Sequence, residues 1–244
     1  MIFGAKPYGN IITDGLVLNL DATNPQSYPG TGTTWFDRSG YNNNGTLTNG
    51  PAYLQERGRG TIVFDGVNDY AGLPSGNITA GSVSMFFWIS GSYQNYYLSV
   101  FERNSVTGTG LTTPIPSNGW VQVGFMAVSG SSNKFVINGT VYNANGAGSF
   151  PYDNATYKPI FWMGNVVPFG GNSTPNTSFH LQPGGGAYGG FNWVDFTYKT
   201  IGVTATAGNQ RYFSGGISSA LIYNRMLSDQ EVLQNYNALK SRFV

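Results

Sequence analysis

The chain offers few residues that could perform acid–base or nucleophilic catalysis. It has one histidine, His180, and no cysteine, so a Ser-His-Asp triad would have to be built around His180. No Gly-x-Ser-x-Gly motif accompanies that histidine, and its glycine-rich surroundings favour an ordinary loop residue. Glu56, Glu102 and Glu231 are isolated from one another, whereas a glycoside hydrolase needs two neighbouring carboxylates. We therefore predict that the protein is not an enzyme.

Four aspartates are the candidates for a calcium site, because hard cations prefer oxygen ligands. They are Asp21, Asp37, Asp65 and Asp69, with Asn42 as a further oxygen donor. The same residue types also stabilise turns by bonding to their own backbone. We favour this turn-capping role and predict neither a tightly bound calcium ion nor any other cofactor.

Aromatic side chains are the most abundant candidates for ligand binding, since they make up 15% of the chain and charged residues only 9%. Two segments concentrate them, namely 92–97 and a glycine-rich insertion at 165–193, and the candidate ligand-binding residues are Tyr93, Tyr96, Tyr97, Phe179, Tyr188, Phe191 and Trp193. Sugar sites combine flat aromatic faces with a few fixed polar groups. Aromatics between glycines also anchor long loops, and they are enriched at protein interfaces. Loop anchoring, a protein interface and a glycan site are three alternatives, in that order of preference.

Apolar residues that alternate with polar ones predict an all-β fold. This period-two pattern indicates strands at 15–21, 61–65, 97–102, 120–128, 134–138, 158–164 and 216–223. The segment 82–90 is too apolar for a surface strand and is predicted to lie deep in a sandwich. Asn138-Gly139 is the strongest hairpin signal, because both residues tolerate positive φ. Residues 165–192 are predicted to be a loop.

One helix is predicted at the C-terminal end of the chain. Ser228 and Glu231 have the spacing of a capping box. Helical spacing then gives one apolar face, formed by Val232, Tyr236, Leu239 and Phe243.

The 244 residues are predicted to form an N-terminal arm (1–14) and one β-sandwich domain (15–244) that carries the insertion 165–193. The net charge is +1 with no basic block, which argues against nucleic-acid binding. No apolar stretch has the length of a membrane span. The first residues lack the pattern of a signal peptide, so we expect folding in a cytoplasm.

Several short motifs follow one another in an order that resembles laminin-G-like domains of the concanavalin A-like class. They include Gly15-Leu-Val-Leu-Asn-Leu-Asp-Ala22, Trp35-Phe-Asp-Arg-Ser-Gly40, Val63-Phe-Asp-Gly-Val-Asn-Asp-Tyr70 and Ser84-Met-Phe-Phe-Trp-Ile89. The ordered set covers nearly the whole chain except the insertion. The resemblance implies a two-sheet antiparallel β-sandwich (a jelly roll) with one C-terminal helix. It also implies a glycan or partner site on one face or in the loops at one edge.

These motifs, together with the ending at 234–242, resemble those of domains common in bacteriophage tail-fibre, adhesin and capsid-associated proteins. It implies a virion structural accessory protein, either a capsid decoration or a tail-associated protein, assembled in the host cytoplasm. Its partners would be other virion proteins and copies of itself, contacted through the arm and the insertion. The alternative is a glycan-binding adhesin that recognises host surface polysaccharide, and a third hypothesis is a polysaccharide hydrolase.

Overall fold

The period-two segments pair into two stacked antiparallel sheets. The computed structural model describes residues 10–73, 82–91, 97–102, 108–110, 116, 119–128, 134–143, 159–164, 181–182, 186–187, 191–195, 200–201, 203–204 and 211–244. For residues 97–102, 108–110, 127–128, 159–164, 181–182, 186–187, 191–195, 200–201, 203–204 and 211–212 we describe only backbone pairing. The predicted all-β sandwich with a C-terminal helix is confirmed.

The strands and the helix of the described residues have the following bounds. They are β1 Leu16–Asp21, β2 Thr34–Trp35, β3 Gly45–Thr48, β4 Ala52–Glu56, β5 Arg59–Asp65, β6 Tyr70–Gly72, β7 Ser82–Ser90, β8 Tyr97–Glu102, β9 Gly108–Gly110, β10 Trp120–Val128, β11 Lys134–Ile137, β12 Thr140–Asn143, β13 Pro159–Gly164, β14 Leu181–Gln182, β15 Gly186–Ala187, β16 Phe191–Asp195, β17 Thr200–Ile201, β18 Val203–Thr204, β19 Arg211–Tyr212, β20 Ser214–Tyr223 and α1 Asp229–Lys240.

Both main sheets have eight strands among the described residues. The first sheet has the order β12-β11-β10-β7-β20-β5-β4, and β1 also pairs with β20. The second sheet has the order β2-β3-β6-β17-β16-β13-β8-β9, and two short ribbons, β14-β15 and β18-β19, are not hydrogen-bonded to it. The chain thus passes repeatedly from one sheet to the other.

The loop predicted over 165–192 is wrong in part. β14 and β15 lie inside it, and β16 begins at Phe191 and pairs with β13 and β17. β16 is short and follows two glycines, so its own sequence gives a weak strand signal. Pairing with β13, from which the insertion separates it, and with the nearby β17 stabilises it.

The main core lies between the two sheets. From the first sheet, β7 contributes Val83, Met85, Phe87 and Ile89, all of them fully buried. Trp35, Leu47 and Ala71 of the second sheet belong to the same apolar cluster. Burial of these side chains supplies the main driving force for stacking the sheets.

A second core lies on the other face of the first sheet, under helix α1. Phe86 and Trp88 of β7 pack there with Val232, Leu239 and Phe243. The Trp88 ring is stacked 4.2 Å from Phe243 and 5.6 Å from Tyr236, measured between ring centroids. β7 is therefore buried on both faces, which explains its continuous apolar sequence and confirms its predicted depth.

The predicted helix and its capping box are confirmed. Ser228 Oγ accepts a hydrogen bond from the Glu231 amide, and the Glu231 carboxylate accepts one from the Ser228 amide. Arg225 forms a two-pronged ion pair with Glu231. Hydrogen bonding by Arg225, followed by the bonds from Ser228, lowers the pKa of Glu231 to about 2.

The described part of the predicted N-terminal arm, residues 10–14, packs on the helix of its own chain. The Ile12 amide donates to Asn235 Oδ1 at 2.8 Å, and the Tyr223 hydroxyl donates to the Ile12 carbonyl at 3.0 Å. Gln234 donates to the carbonyl of Asn10. These bonds join the last strand, the helix and the beginning of the described chain. Residues 1–9 of the arm lie outside the described part.

Candidate functional site

The fold brings the strand ends that flank the two aromatic segments identified in the sequence to one end of the second sheet. β8 and β16 both pair antiparallel with β13, one on each side. The segment 92–97 leads into the start of β8, and the insertion 165–193 leads from the end of β13 into β16. In antiparallel neighbours the start of one strand lies beside the end of the next. We call this end of the sandwich the insertion end.

The strand register shows which residue positions lie next to each other there. Trp162 of β13 is opposite Ser99 of β8 and Asn192 of β16, while Gly164 is opposite Tyr97. The register with β16 shifts between Phe161 and Trp162, so Trp193 is the extra residue of a β-bulge. Bulges of this kind are frequent next to binding and active sites.

Burial at the other edge of the sheet identifies its inner and outer faces. In β2, β3 and β6, Trp35, Leu47 and Ala71 are buried in the core, whereas Thr34 is half-buried and Thr46 is exposed. Directly paired residues lie on the same face, and successive residues of a strand alternate between faces. From pair to pair, we can therefore tell on which face, inner or outer, each residue of the remaining strands lies.

Two neighbouring rows of paired positions cross the sheet and differ sharply in composition. The inner row is apolar throughout and consists of Leu47, Ala71, Ile201, Val194, Phe161 and Val100. The outer row is largely polar near β3 and consists of Thr46, Gly72, Thr200, Asp195, Ile160 and Phe101. Two residues beyond Ile160, position 162 lies on the outer face as well.

Four positions on the outer face at the insertion end form what we call the outer-face platform. They are Tyr97, Ser99, Trp162 and Asn192. Aromatic residues and short polar residues thus share one face across three adjacent strands. Ligand sites, including those for sugars, combine aromatic surfaces with a few polar groups of these kinds.

The candidate residues from the sequence differ in how they relate to the platform. Tyr97 belongs to it, Trp193 is the bulge residue beside it, and Phe191 lies in an inner-face position opposite Met163. The other candidates, together with His180, lie outside the described residues and stay predictions: Tyr93, Tyr96, Phe179 and Tyr188. Sequence reasoning missed Trp162, although the segment was predicted to be a strand, because the strand pattern alone did not reveal its face.

A hydrogen-bonded turn borders the same end of the sandwich. Asp65 Oδ1 accepts bonds from the amides of Val67 and Asn68, and Asp69 Oδ2 accepts one from the Asp65 amide. Asn49 donates to the Asn68 carbonyl at 2.7 Å and fixes the turn to the end of β3. The backbone bond from Val67 lowers the pKa of Asp65, while burial raises that of Asp69. The turn at residues 65–69 is therefore held in place by hydrogen bonds within the turn and from Asn49.

Asp37 organises the opposite end of the sandwich. Its carboxylate is buried and accepts hydrogen bonds from the amides of Asn19, Ser39 and Asn43 and from the Ser39 hydroxyl, at 2.6 to 3.0 Å. The Arg38 amide donates to the Asn19 carbonyl. The loop 36–44 thereby covers the open edge of β1, which accounts for the Trp35–Gly40 motif.

All four calcium candidates accept hydrogen bonds from protein donors. Asp21, for example, accepts from the Thr23 amide and from Arg242 at 2.6 Å. The hydrogen bonds of Asp37 and Asp65 are those of the predicted turn-capping role. Within the described ranges, no group of three or more His, Cys, Asp or Glu side chains could hold a metal ion. That the protein holds no calcium stays a prediction.

Two acidic residues lie in the strands of the candidate site, but on different faces. Glu102 is opposite Pro159 and Asp195 is opposite Ile160. Because residues 159 and 160 are consecutive in one strand, their partners occupy opposite faces. The pairing therefore does not place these two carboxylates together as a hydrolase would require.

Comparisons with known proteins give structural similarity without sequence similarity. No family model and no curated protein matches the sequence. Domain 4 of an extracellular arabinanase from Geobacillus stearothermophilus, solved in complex with arabinotriose, is 16% identical with a TM-score of 0.52 over 91% of this chain and 98% of that domain. These similarities show a shared β-sandwich fold.

Two larger proteins share the fold over part of their length. The receptor binding domain of a botulinum neurotoxin C/D mosaic serotype is 13% identical, with a TM-score of 0.53 over 93% of this chain and 52% of that one. A mutant Trypanosoma rangeli sialidase with trans-sialidase activity is also 13% identical, with a TM-score of 0.51 over 94% of this chain. The chain spans 34% of the sialidase. In the part of the chain that we describe, no helix has the length and apolarity to cross a membrane.

Proposed function

We propose that this protein is a glycan-binding module and that the outer-face platform is part of its binding face. The observation that carries this proposal is the pairing of β8 and β16 on either side of β13. That pairing gathers the positions of Tyr97, Trp162 and Asn192 on one face, and it brings the strand ends that flank both aromatic segments to one end of the sheet. Aromatic rings would stack on sugar rings, while amide and hydroxyl groups would fix their orientation.

The fold of the arabinanase domain supports the same function. That domain was solved with arabinotriose and matches this chain over nearly its whole length. The receptor-binding function of the neurotoxin domain is a second example of recognition by this fold. Fold alone does not determine function, so the proposal depends on the residues of the platform.

The placement of the carboxylates favours a module that binds glycans over one that hydrolyses them. Glu102 and Asp195 occupy opposite faces of the second sheet. Asp65 and Asp69 are engaged in holding their own turn. A glycan that reaches the platform would thus be held by aromatic and uncharged polar groups.

The test is a glycan array followed by calorimetric titration of the saccharide that binds best. We expect Tyr97→Ala and Trp162→Ala each to weaken binding about tenfold or more, because aromatic anchors dominate interface energies. Tyr41→Ala is the matched control, since Tyr41 is half-exposed in the loop 36–44 at the opposite end. Circular dichroism shows whether each variant is folded. Folded protein that binds no saccharide, or platform variants that bind like the control, would refute the proposal.

A place in a virus particle is a separate proposal that rests on the sequence resemblance. A glycan-binding face would suit a host-attachment role there. Mass spectrometry of purified particles with copy numbers tests it, and absence of the protein from the particles of its own virus would contradict it.

A further inference from the structure

The chemical class and the length of the glycan can be inferred from the row of positions beside the platform, provided that the proposed function holds. We infer that the binding face takes an uncharged, extended oligosaccharide that runs across the strands from the outer-face platform toward β3. Three observations lead to this inference: the charge of the outer row, the ion pairs that hold three described cations elsewhere, and the residues with hydroxyl groups along the row.

The outer face carries little charge at the positions that the register defines. From β13 to β3 the outer row reads Ile160, Asp195, Thr200, Gly72 and Thr46, and the platform adds four uncharged residues. Asp195 is the one charged residue among these positions, and it is an acid. Carboxylated sugars are recognised by arginine or lysine, which donate charge-assisted hydrogen bonds to the carboxylate. An acidic residue in the row repels such sugars.

Several cations of the described residues are held by acidic groups away from this face. Arg225 pairs with Asp14 and Glu231 beside the helix. Arg242 pairs with Asp21 at 2.6 Å, and Lys134 pairs with Asp229 at 3.1 Å. All of these pairs involve the first sheet, the helix or the segments that flank them. They are consistent with an uncharged ligand on the second sheet.

The row gives the ligand a direction and a length. Four strand spacings separate β13 from β3, which corresponds to about 19 Å. Two residues that carry hydroxyl groups, Thr200 and Thr46, occupy positions on this path, and Thr34 of β2 continues the row. Gly72 lies between the two threonine positions and contributes no side chain. A saccharide chain that stacks on Trp162 can therefore follow the row and reach the exposed Thr46.

Two arms of one experiment test the inference. In the first, an array presents neutral oligosaccharides beside carboxylated ones that contain uronic or sialic acid. In the second, the neutral oligosaccharide that binds best is titrated in short and long forms, with arabinan oligosaccharides as the first series. Thr46→Val removes one hydroxyl while keeping the side-chain shape. Thr140→Val is the matched control, because Thr140 is exposed in β12 of the other sheet.

We expect binding to neutral glycans only, and affinity that increases with chain length. Thr46→Val should weaken binding of the long form by about threefold to tenfold, the value of one neutral hydrogen bond, and leave the short form unchanged. Preferred binding of carboxylated glycans overturns the inference about charge. Equal affinity for short and long forms, or a Thr46→Val variant that matches Thr140→Val on the long form, overturns the inference about length. If no glycan binds at all, the proposed function itself fails.

Discussion

The two sheets of this sandwich differ in what covers their outer faces. The centre of the first sheet is buried on both sides, because helix α1 and Phe243 pack over Phe86 and Trp88 of β7. In the second sheet, Trp35 and Leu47 face the core while Thr46 on the opposite face is exposed. The first sheet therefore acts as a scaffold that anchors the helix. In the second sheet, the outer face at Thr46 is exposed, and this is the face on which we propose that a glycan binds.

The difference begins in the sequences of the strands. β7 is buried at seven consecutive positions, Val83 to Ile89, and the last five of these form an unbroken apolar run, whereas the segments of β2 and β3 alternate between buried and less buried residues. A strand that is covered on both faces needs apolar residues at every position, and a strand that is covered on one face needs them at every second position. Residue pattern and number of covering layers thus agree in both sheets.

The largest expected effect compares two tryptophans, one in each sheet. Trp88→Ala should lower the free energy of unfolding by about 3–5 kcal/mol, because it opens a cavity between Tyr236 and Phe243. Trp162→Ala, at an outer-face position of the second sheet, should cost less than about 1 kcal/mol while it reduces glycan binding. Urea denaturation followed by circular dichroism measures both. If Trp88→Ala and Trp162→Ala lowered the free energy of unfolding equally, the conclusion that only the first sheet is covered on its outer face would be contradicted.

A smaller effect is expected where the Asp37 loop covers the edge of β1. Asp37→Asn replaces one acceptor oxygen by an NH₂ group that faces donors from Ser39 and Asn43. We expect a loss of about 2–3 kcal/mol, because two hydrogen bonds disappear and buried donors then face each other. Glycan binding should be unchanged, since this loop lies at the end opposite the platform. Unfolding and glycan binding are measured on the same variant. A folded Asp37→Asn variant that had lost affinity for the glycan would contradict the claim that the Asp37 loop plays no part in binding.

The smallest effect concerns the pH dependence of the helix that covers the first sheet. The pKa of Glu231 is lowered to about 2 in the folded protein, chiefly by Arg225. A lowered pKa means that the carboxylate stabilises the fold above its ordinary pKa, and that this stabilisation is lost as the pH falls from about 4.5 toward 2. Glu231→Gln should flatten the dependence of stability on pH in this range. Glu56→Gln, an exposed glutamate of β4, is the control, and an unchanged slope in Glu231→Gln would contradict the assignment.

Loss of the helix cap provides a check on that measurement at neutral pH. Ser228→Ala removes the hydroxyl that accepts from the Glu231 amide. We expect a cost of about 1 kcal/mol, as for other caps of this kind. Thermal unfolding at pH 7 measures it, and no change in Tm would show that the cap is replaced by other contacts.

Local patterns in the sequence predicted the elements that depend on neighbouring residues. The capping box at Ser228, the hairpin at Asn138-Gly139 and the buried strand β7 were all found in this way. In the hairpin, Asn138 and Gly139 have φ values of 49° and 76°, which these two residues adopt at low cost. The candidate site could be predicted only as two separate aromatic segments. Trp162 was not recognised as part of it, and no strand was predicted at β16, the first two residues of which fall in the predicted loop 165–192.

The sequence by itself determined the alternation of apolar and polar residues, the turns and the helix ends, because each depends on interactions within a few residues. Only the tertiary structure decided that β8 and β16 lie on either side of β13, and that Tyr97, Trp162 and Asn192 therefore share one face. Pairing between strands depends on contacts across long stretches of chain, and a register shift of one residue would move a side chain to the opposite face. The order of residues in the chain does not contain that information in any local pattern.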